Sequence, residues 1–133
     1  MAIGFAREPD LSAKEFQDVL IRSTLAKRRP ADDLMRLDRM LRNADIVFTA
    51  RDGEKIVGIS RAITDYAFCC YLSDLAVDAA YQRQGIGKRL IEETHRAAGL
   101  STSLLLVAAP AAVRYYQKLG MTTYPCFGIP RRE

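Results

Sequence analysis

The residues best suited to chemistry lie in one stretch, 75–91, which reads as the end of a strand, a tight basic turn and the start of a helix. Leu75, Ala76 and Val77 suit a buried strand end, and Ile86, Leu90 and Ile91 fall at helical spacing. Gly85 and Gly87 bracket Ile86 where that helix begins. A helix start exposes backbone N–H groups that have no intrahelical acceptor, and its dipole adds partial positive charge. Glycines there let an anion approach the backbone closely. Arg83, Lys88 and Arg89 bring full charges to the same point, so the stretch fits a phosphate or pyrophosphate cradle. It is neither of the two commonest phosphate motifs. Gly87-Lys88-Arg89 lacks the hydroxyl of a P-loop, and Leu90 stands where a dinucleotide fingerprint needs its third glycine. The plainer alternative is a glycine-containing turn with a solvated basic face.

The elements that must hold this turn can be read in order. Residues 3–6 form a short strand ended by Pro9, and Ser12 with Glu15 matches a capping box at the start of a helix carrying Phe16, Val19 and Leu20. Lys27-Arg28-Arg29-Pro30 breaks that helix. Asp32 and Asp33 favour the next, whose apolar stripe is Leu34, Leu37, Met40 and Leu41. Residues 45–50 and 55–62 are strands joined by the hairpin turn Asp52-Gly53, and Gly58 marks a bulge or a close backbone approach. Residues 68–77 form a long strand leading into the glycine turn. A helix over 85–98 ends at Gly99. The apolar run 104–107 fits a buried parallel strand, Pro110 opens a last helix, and 121–129 holds a final strand interrupted at Pro125. Three strands joined by short turns, then strand–helix–strand, make an α/β (α+β) fold: a mixed, mostly antiparallel central sheet flanked by helices.

Composition narrows the function classes. A chain of 133 residues is one domain, 1–133, with room for a core. It has no apolar run long enough to span a membrane and no visible signal peptide, so a cytoplasmic protein without a membrane role is expected. The net charge of +4 is modest and scattered, which argues against nucleic acid and is compatible with an anionic ligand. Cys69, Cys70 and Cys126 make a poor disulfide framework; with a single histidine they give no zinc site, so no metal is expected. Buried, reduced thiols are the default expectation for them.

The turn resembles the acetyl-CoA-binding motif of the GNAT N-acetyltransferase superfamily, Gln/Arg-x-x-Gly-x-Gly/Ala, met here by Gln82, Gly85 and Gly87. The element order resembles that family over nearly the whole chain, most closely from about Leu72 to Met121. A second stretch, Ala112-Val113-Arg114-Tyr115-Tyr116-Gln117-Lys118-Leu119-Gly120-Met121, resembles the family's Ala, aromatic-Tyr pair and following Gly. The resemblance implies that the backbone of Leu75, Ala76 and Val77 pairs with the pantetheine arm of acetyl-CoA. It implies that the N–H groups of Arg83, Gln84, Gly85, Ile86, Gly87 and Lys88 hold the pyrophosphate, with Lys88 or Arg89 reaching other phosphates. Tyr116 matches the tyrosine that protonates the departing CoA thiolate, and Tyr115 is assigned to packing. The first two helices and their loop usually wall the acceptor site. Two positions depart from the pattern: Ala109 stands where an Asn often contacts CoA, and Met121 replaces the usual Phe.

Acetyl transfer to an amine needs a held thioester, a deprotonated amine and a proton for the thiolate, which a tyrosine with a pKa of about 10 can supply. The resemblance therefore implies direct transfer from acetyl-CoA to a primary amine of a small molecule or peptide, and the family's frequent dimers imply a homodimer. For the general base, Tyr71 and Ser73 share a strand face with Leu75 by alternation, Asp74 lies on the other face, and Asp65 is a further candidate. The alternative reading is a non-catalytic acyl-CoA-binding or regulatory domain.

Overall fold

The computed structural model describes residues 2–132, and in it the two hydrophobic periodicities separate into a central sheet with a helical layer on each face. The strands are β1 (Ile3–Arg7), β2 (Ile46–Asp52), β3 (Lys55–Thr64), β4 (Cys69–Val77) and β5 (Ser103–Leu105). The helices are α1 (Ala13–Ser23), α2 (Leu34–Arg42), α3 (Ile86–Ala98) and α4 (Val113–Lys118). Sheet order follows chain order, β1-β2-β3-β4-β5; the first three pairings are antiparallel and β4–β5 is parallel. This is the mixed, mostly antiparallel sheet that the hairpins and the single crossover imply.

The stripes of α1 and α2 cover one face, where Phe16, Val19, Leu20, Leu37 and Leu41 pack against Val47, Ile56, Ile59 and Ala76. On the other face Ile86 and Leu90 of α3 pack against Ala50 and Val57. Gly58 lets α3 lie close to the sheet: a Cβ there would come within 3.1 Å of Leu90 Cδ1. Ser12 caps α1 by accepting the Glu15 N–H, but the reciprocal half of the box is absent because the Glu15 carboxylate pairs with Arg51. Among the described residues no helix is long and apolar enough to cross a membrane.

The register of β4 carries one irregularity that matters for the site. Arg61 of β3 faces Asp74, yet the next residue, Ala62, faces Leu72, so β4 has one residue too many at Ser73. A bulge of this kind breaks strict alternation and bends the strand. Strict alternation would place Tyr71, Ser73 and Leu75 on one face, with Asp74 opposite. Instead, Leu75 packs with Ile91 and Leu90 on the α3 side. Tyr71 and Ser73 line a cavity beside Arg29 and Met40 on the α1–α2 side, where Asp74 also points.

Two further expectations are corrected at the C-terminal end. The 104–107 run is no buried strand: β5 ends at Leu105, which is 45% exposed, and Val107 is 56% exposed, because this strand is the sheet edge. Residues 121–129 form no strand. Pro125 lacks the N–H that a ladder needs, and β5 offers only three residues of edge to pair with. The thiols also differ from expectation. All three are free, but only Cys70 is buried, while Cys69 and Cys126 are exposed.

Candidate functional site

The glycine turn is held in place from three directions. Asp78, at the end of β4, accepts the Ala80 N–H and pairs with Arg22 of α1 at 2.6 Å. Burial alone would raise its pKa, but the Ala80 N–H and the Arg22 guanidinium hold the carboxyl below its ordinary value. The Tyr81 hydroxyl donates to Asp52 at 2.7 Å, and the Lys55 ammonium lies 5.2 Å from the Tyr81 ring centroid, so the β2–β3 hairpin braces the turn. The Gln82 amide donates to the Val77 carbonyl, closing the turn onto the strand end.

The backbone of the turn is shaped for an anion. Arg83 and Gly85 both have left-handed φ, 67° and 78°. Alternating backbone hand of this kind turns successive N–H groups into a concavity. A side chain at φ 67° is strained, by about 1–2 kcal/mol, so Arg83 is an observed outlier rather than an inferred one. A Cβ at Gly85 would meet nothing within 4 Å, so the turn is open on that side. Gly87 is buried, and a Cβ there would come within 2.5 Å of the Tyr115 hydroxyl. The cradle therefore fits a phosphate group: open backbone at the N-terminus of a 13-residue helix, with exposed Arg83 and Lys88 beside it. Arg89 is not brought to it. Its guanidinium bonds Glu93 at 2.7 Å and stacks over the Phe5 ring at 4.6 Å, toward β1.

Next to the turn the sheet opens. β4 pairs with β5 only from Cys69 to Tyr71 and then runs on to Val77. Among the described residues no strand pairs with that side of β4 over 72–77. A strand edge with free N–H and C=O groups is a template for an extended ligand that carries amides. The structure thus brings Leu75, Ala76 and Val77 of the open edge and residues 82–88 of the turn into one continuous path.

The two tyrosines of α4 differ in what they reach. Tyr115 is the one whose hydroxyl touches the turn, lying against the Lys88 backbone N–H above Gly87. Burial pushes its pKa up, against the opposing pull of the Lys88 N–H. Tyr116 is half-buried and its ring meets that of Tyr115 edge-on at 5.2 Å. Burial, and then the neighbouring Tyr115, push the Tyr116 phenol above its ordinary value, so it stays protonated through the neutral range.

The bulge builds the other half of the site. Asp74, wholly buried, accepts from Arg29 Nε at one oxygen and from Arg61 Nε at the other. The carbonyl of Ser73 accepts from Arg29 Nη2 at 2.7 Å, and its hydroxyl accepts from Arg61 Nη2 at 2.9 Å. A cavity of about 230 Å³ opens above this network, lined by Arg28, Arg29, Arg36, Arg61, Tyr71 and Ser73. Arg131 of the C-terminal segment also lines it. A wider depression of about 670 Å³ runs along α2 and shares Arg36 and Met40 with the first, but has no residue of β4 or of the turn.

Of the base candidates, Asp74 is committed to two arginines, and Asp65 caps a loop. Three backbone N–H groups, from Phe68, Ala67 and Cys69, hold the Asp65 carboxyl at about 2, too weak a base for an ammonium group. Tyr71 and Ser73 remain at the cavity wall. The arginine cluster was not legible as a site. Its signals were Arg61 and Asp74, each inside a strand, and the adjacent Arg28 and Arg29.

Residues 43–122 match the acetyltransferase (GNAT) domain family. GCN5-related N-acetyltransferase 2, chloroplastic, from Arabidopsis thaliana is 38% identical over 81 residues, covering 56% of this chain and 31% of that protein. Histone acetyltransferase TAP1 from Glycine max is 32% identical over 111 residues, covering 74% of this chain and 47% of that one. The chain thus spans from a third to about half the length of these relatives. A GNAT family acetyltransferase from Streptococcus pneumoniae TIGR4 has the same fold, with a TM-score of 0.78, 21% identity and coverage of 99% and 98%.

Proposed function

The chain belongs to the GNAT acetyltransferase superfamily, and from that premise we propose that it transfers an acetyl group from acetyl-CoA to a primary amine by direct attack. The observation that carries the reading is the meeting of the glycine turn with the open edge of β4, which makes one path for a pyrophosphate and an amide-bearing arm. Acetyl-CoA supplies an acetyl thioester when bound. The backbone N–H groups of 83–88, with Lys88 and Arg83, hold its phosphates. The β4 edge over Leu75, Ala76 and Val77 orients the arm. Tyr116, kept protonated by burial, gives its proton to the departing thiolate. Tyr115, which lies on the first turn of α3, moves or donates to the phosphate when the cradle is filled. The amine enters from the α1–α2 side, where Tyr71 and Ser73 of the bulge face the cavity. A homodimeric state and a cytoplasmic location belong to the same proposal.

Calorimetric titration with acetyl-CoA tests the reading directly. Saturable binding is expected in the parent protein, weakened about tenfold or more by the charge reversal Lys88→Glu. Tyr116→Phe should leave that affinity unchanged and lower kcat by about a hundredfold. Binding without turnover on any amine would instead favour a non-catalytic acyl-CoA-binding domain. No binding by folded parent protein would remove both readings.

A further inference from the structure

The cavity on the α1–α2 side carries far more positive charge than an amine acceptor calls for. Five arginines line it and, among the described residues, no acidic side chain does. Two of them, Arg29 and Arg61, share the single buried carboxylate of Asp74, and their remaining N–H groups go to uncharged oxygens of Arg28, Met40 and Ser73. One carboxylate between two guanidinium groups leaves the floor of the cavity with a net positive charge. Arg28 and Arg36 are exposed at its mouth, and among the described residues no carboxylate pairs with either. Asp33, at the start of the same helix, accepts the Arg36 N–H and lines the neighbouring depression rather than this cavity. A cation entering this cavity would be repelled, and like charges brought into a partly desolvated space repel strongly.

We propose that the acceptor is itself anionic: a small primary amine bearing a carboxylate or a phosphate, with Arg28 and Arg36 gripping the anion above the Arg29–Asp74–Arg61 floor. The inference rests on the acetyltransferase reading for the amine and on the cavity alone for the anion. Planar guanidinium groups suit both anions, since each accepts two parallel N–H donors. The volume of about 230 Å³ is enough for a small anionic head group. The anion has a second effect. Held by the arginines, it offsets the field that would otherwise oppose the approach of the ammonium group before it loses its proton. Polyamines and polycationic amino sugars, which carry only positive charge, are excluded by the same field.

The test uses calorimetry on the full chain, with and without saturating CoA. Glutamate, β-alanine and phosphoethanolamine are compared with β-alaninamide, ethanolamine and spermidine. The expected result is at least tenfold tighter binding of one or more anionic amines than of their neutral-headed or cationic counterparts. The carboxylate and phosphate members distinguish the two head groups. In Arg28→Gln/Arg36→Gln, two exposed changes that spare the core, that preference should fall about tenfold or more while acetyl-CoA affinity stays unchanged. Equal binding of ethanolamine or spermidine, no binding of any anionic amine, or an unchanged preference in the double variant would overturn the proposal. Anion preference without acetyl-CoA binding would instead sink the transferase reading and leave the cavity's assignment standing. Acetyl-CoA binding without anion preference would do the reverse.

Discussion

The glycine turn and the arginine cavity both suit anions, yet they are built in opposite ways. At the turn, the donors are backbone N–H groups at a helix start, and the side chains mostly brace or stay out of the way. In the cavity, the donors are long side chains gathered from the α1–α2 region and the bulged part of the sheet, and the backbone only supplies acceptors to hold them. A backbone site depends on local conformation and tolerates side-chain change. A side-chain site depends on tertiary packing, and its charges must be compensated in the core. The two should therefore fail differently when altered.

The largest difference is expected in stability. Asp74→Ala strips the one carboxylate from two arginines, of which Arg61 is 7% exposed, and leaves uncompensated buried charge. Chemical denaturation should show a loss of about 3–5 kcal/mol. A loss under 1 kcal/mol would mean that water already reaches the pair, and that the cavity is looser than its hydrogen bonds imply. The corresponding insult to the turn is smaller. Gly85→Ala forces a side chain to φ 78°, a change of about 1–2 kcal/mol, while acetyl-CoA affinity should fall by more than stability does. Equal losses in both would erase the contrast between a binding turn and a folding network.

The turn also contains strain that can be released. Arg83→Gly, at φ 67°, should stabilise the fold by up to about 1 kcal/mol while weakening acetyl-CoA binding through its lost charge. A variant that gains stability and keeps its affinity would show that Arg83 serves neither. The smallest effect concerns pH. The Asp78 carboxyl is held low in the folded state, so its contribution is present above the unfolded value of about 3.9 and disappears as pH falls toward the folded pKa. Arg22→Gln moves the folded pKa back toward the unfolded one. The decline in unfolding free energy between about pH 5 and pH 3 should therefore be shallower in the variant than in the parent. An equal slope would mean that the Ala80 N–H and the Lys55 ammonium hold the carboxylate without Arg22.

Most of the frame was legible from local pattern. The stripes of α1, α2 and α3, the Asp52-Gly53 hairpin and the Gly99 helix end follow from periodicity and turn chemistry, which act within a few residues. So does the form of the glycine turn, because glycine spacing, strand end and helix start are all neighbours in sequence. Where the reading failed, distant residues decided the outcome. The run 104–107 has the composition of a buried strand, but its place at the sheet edge exposes it. Residues 121–129 have the composition of a strand and no adequate edge to pair with. Tyr115 does pack on the first turn of α3, but only the docking of α4 sets its hydroxyl against Lys88.

The sequence by itself determined the order of elements and the form of the glycine turn, since backbone conformation and helix termini are properties of contiguous residues. Only the tertiary structure decided which face of β4 meets the arginine cavity. One extra residue at Ser73 reverses the alternation that any pattern argument assumes, and whether a strand bulges depends on its partner's register. That single shift brings Tyr71, Ser73 and Asp74 to the α1–α2 side, where arginines from positions 28, 29, 36 and 61 line one cavity.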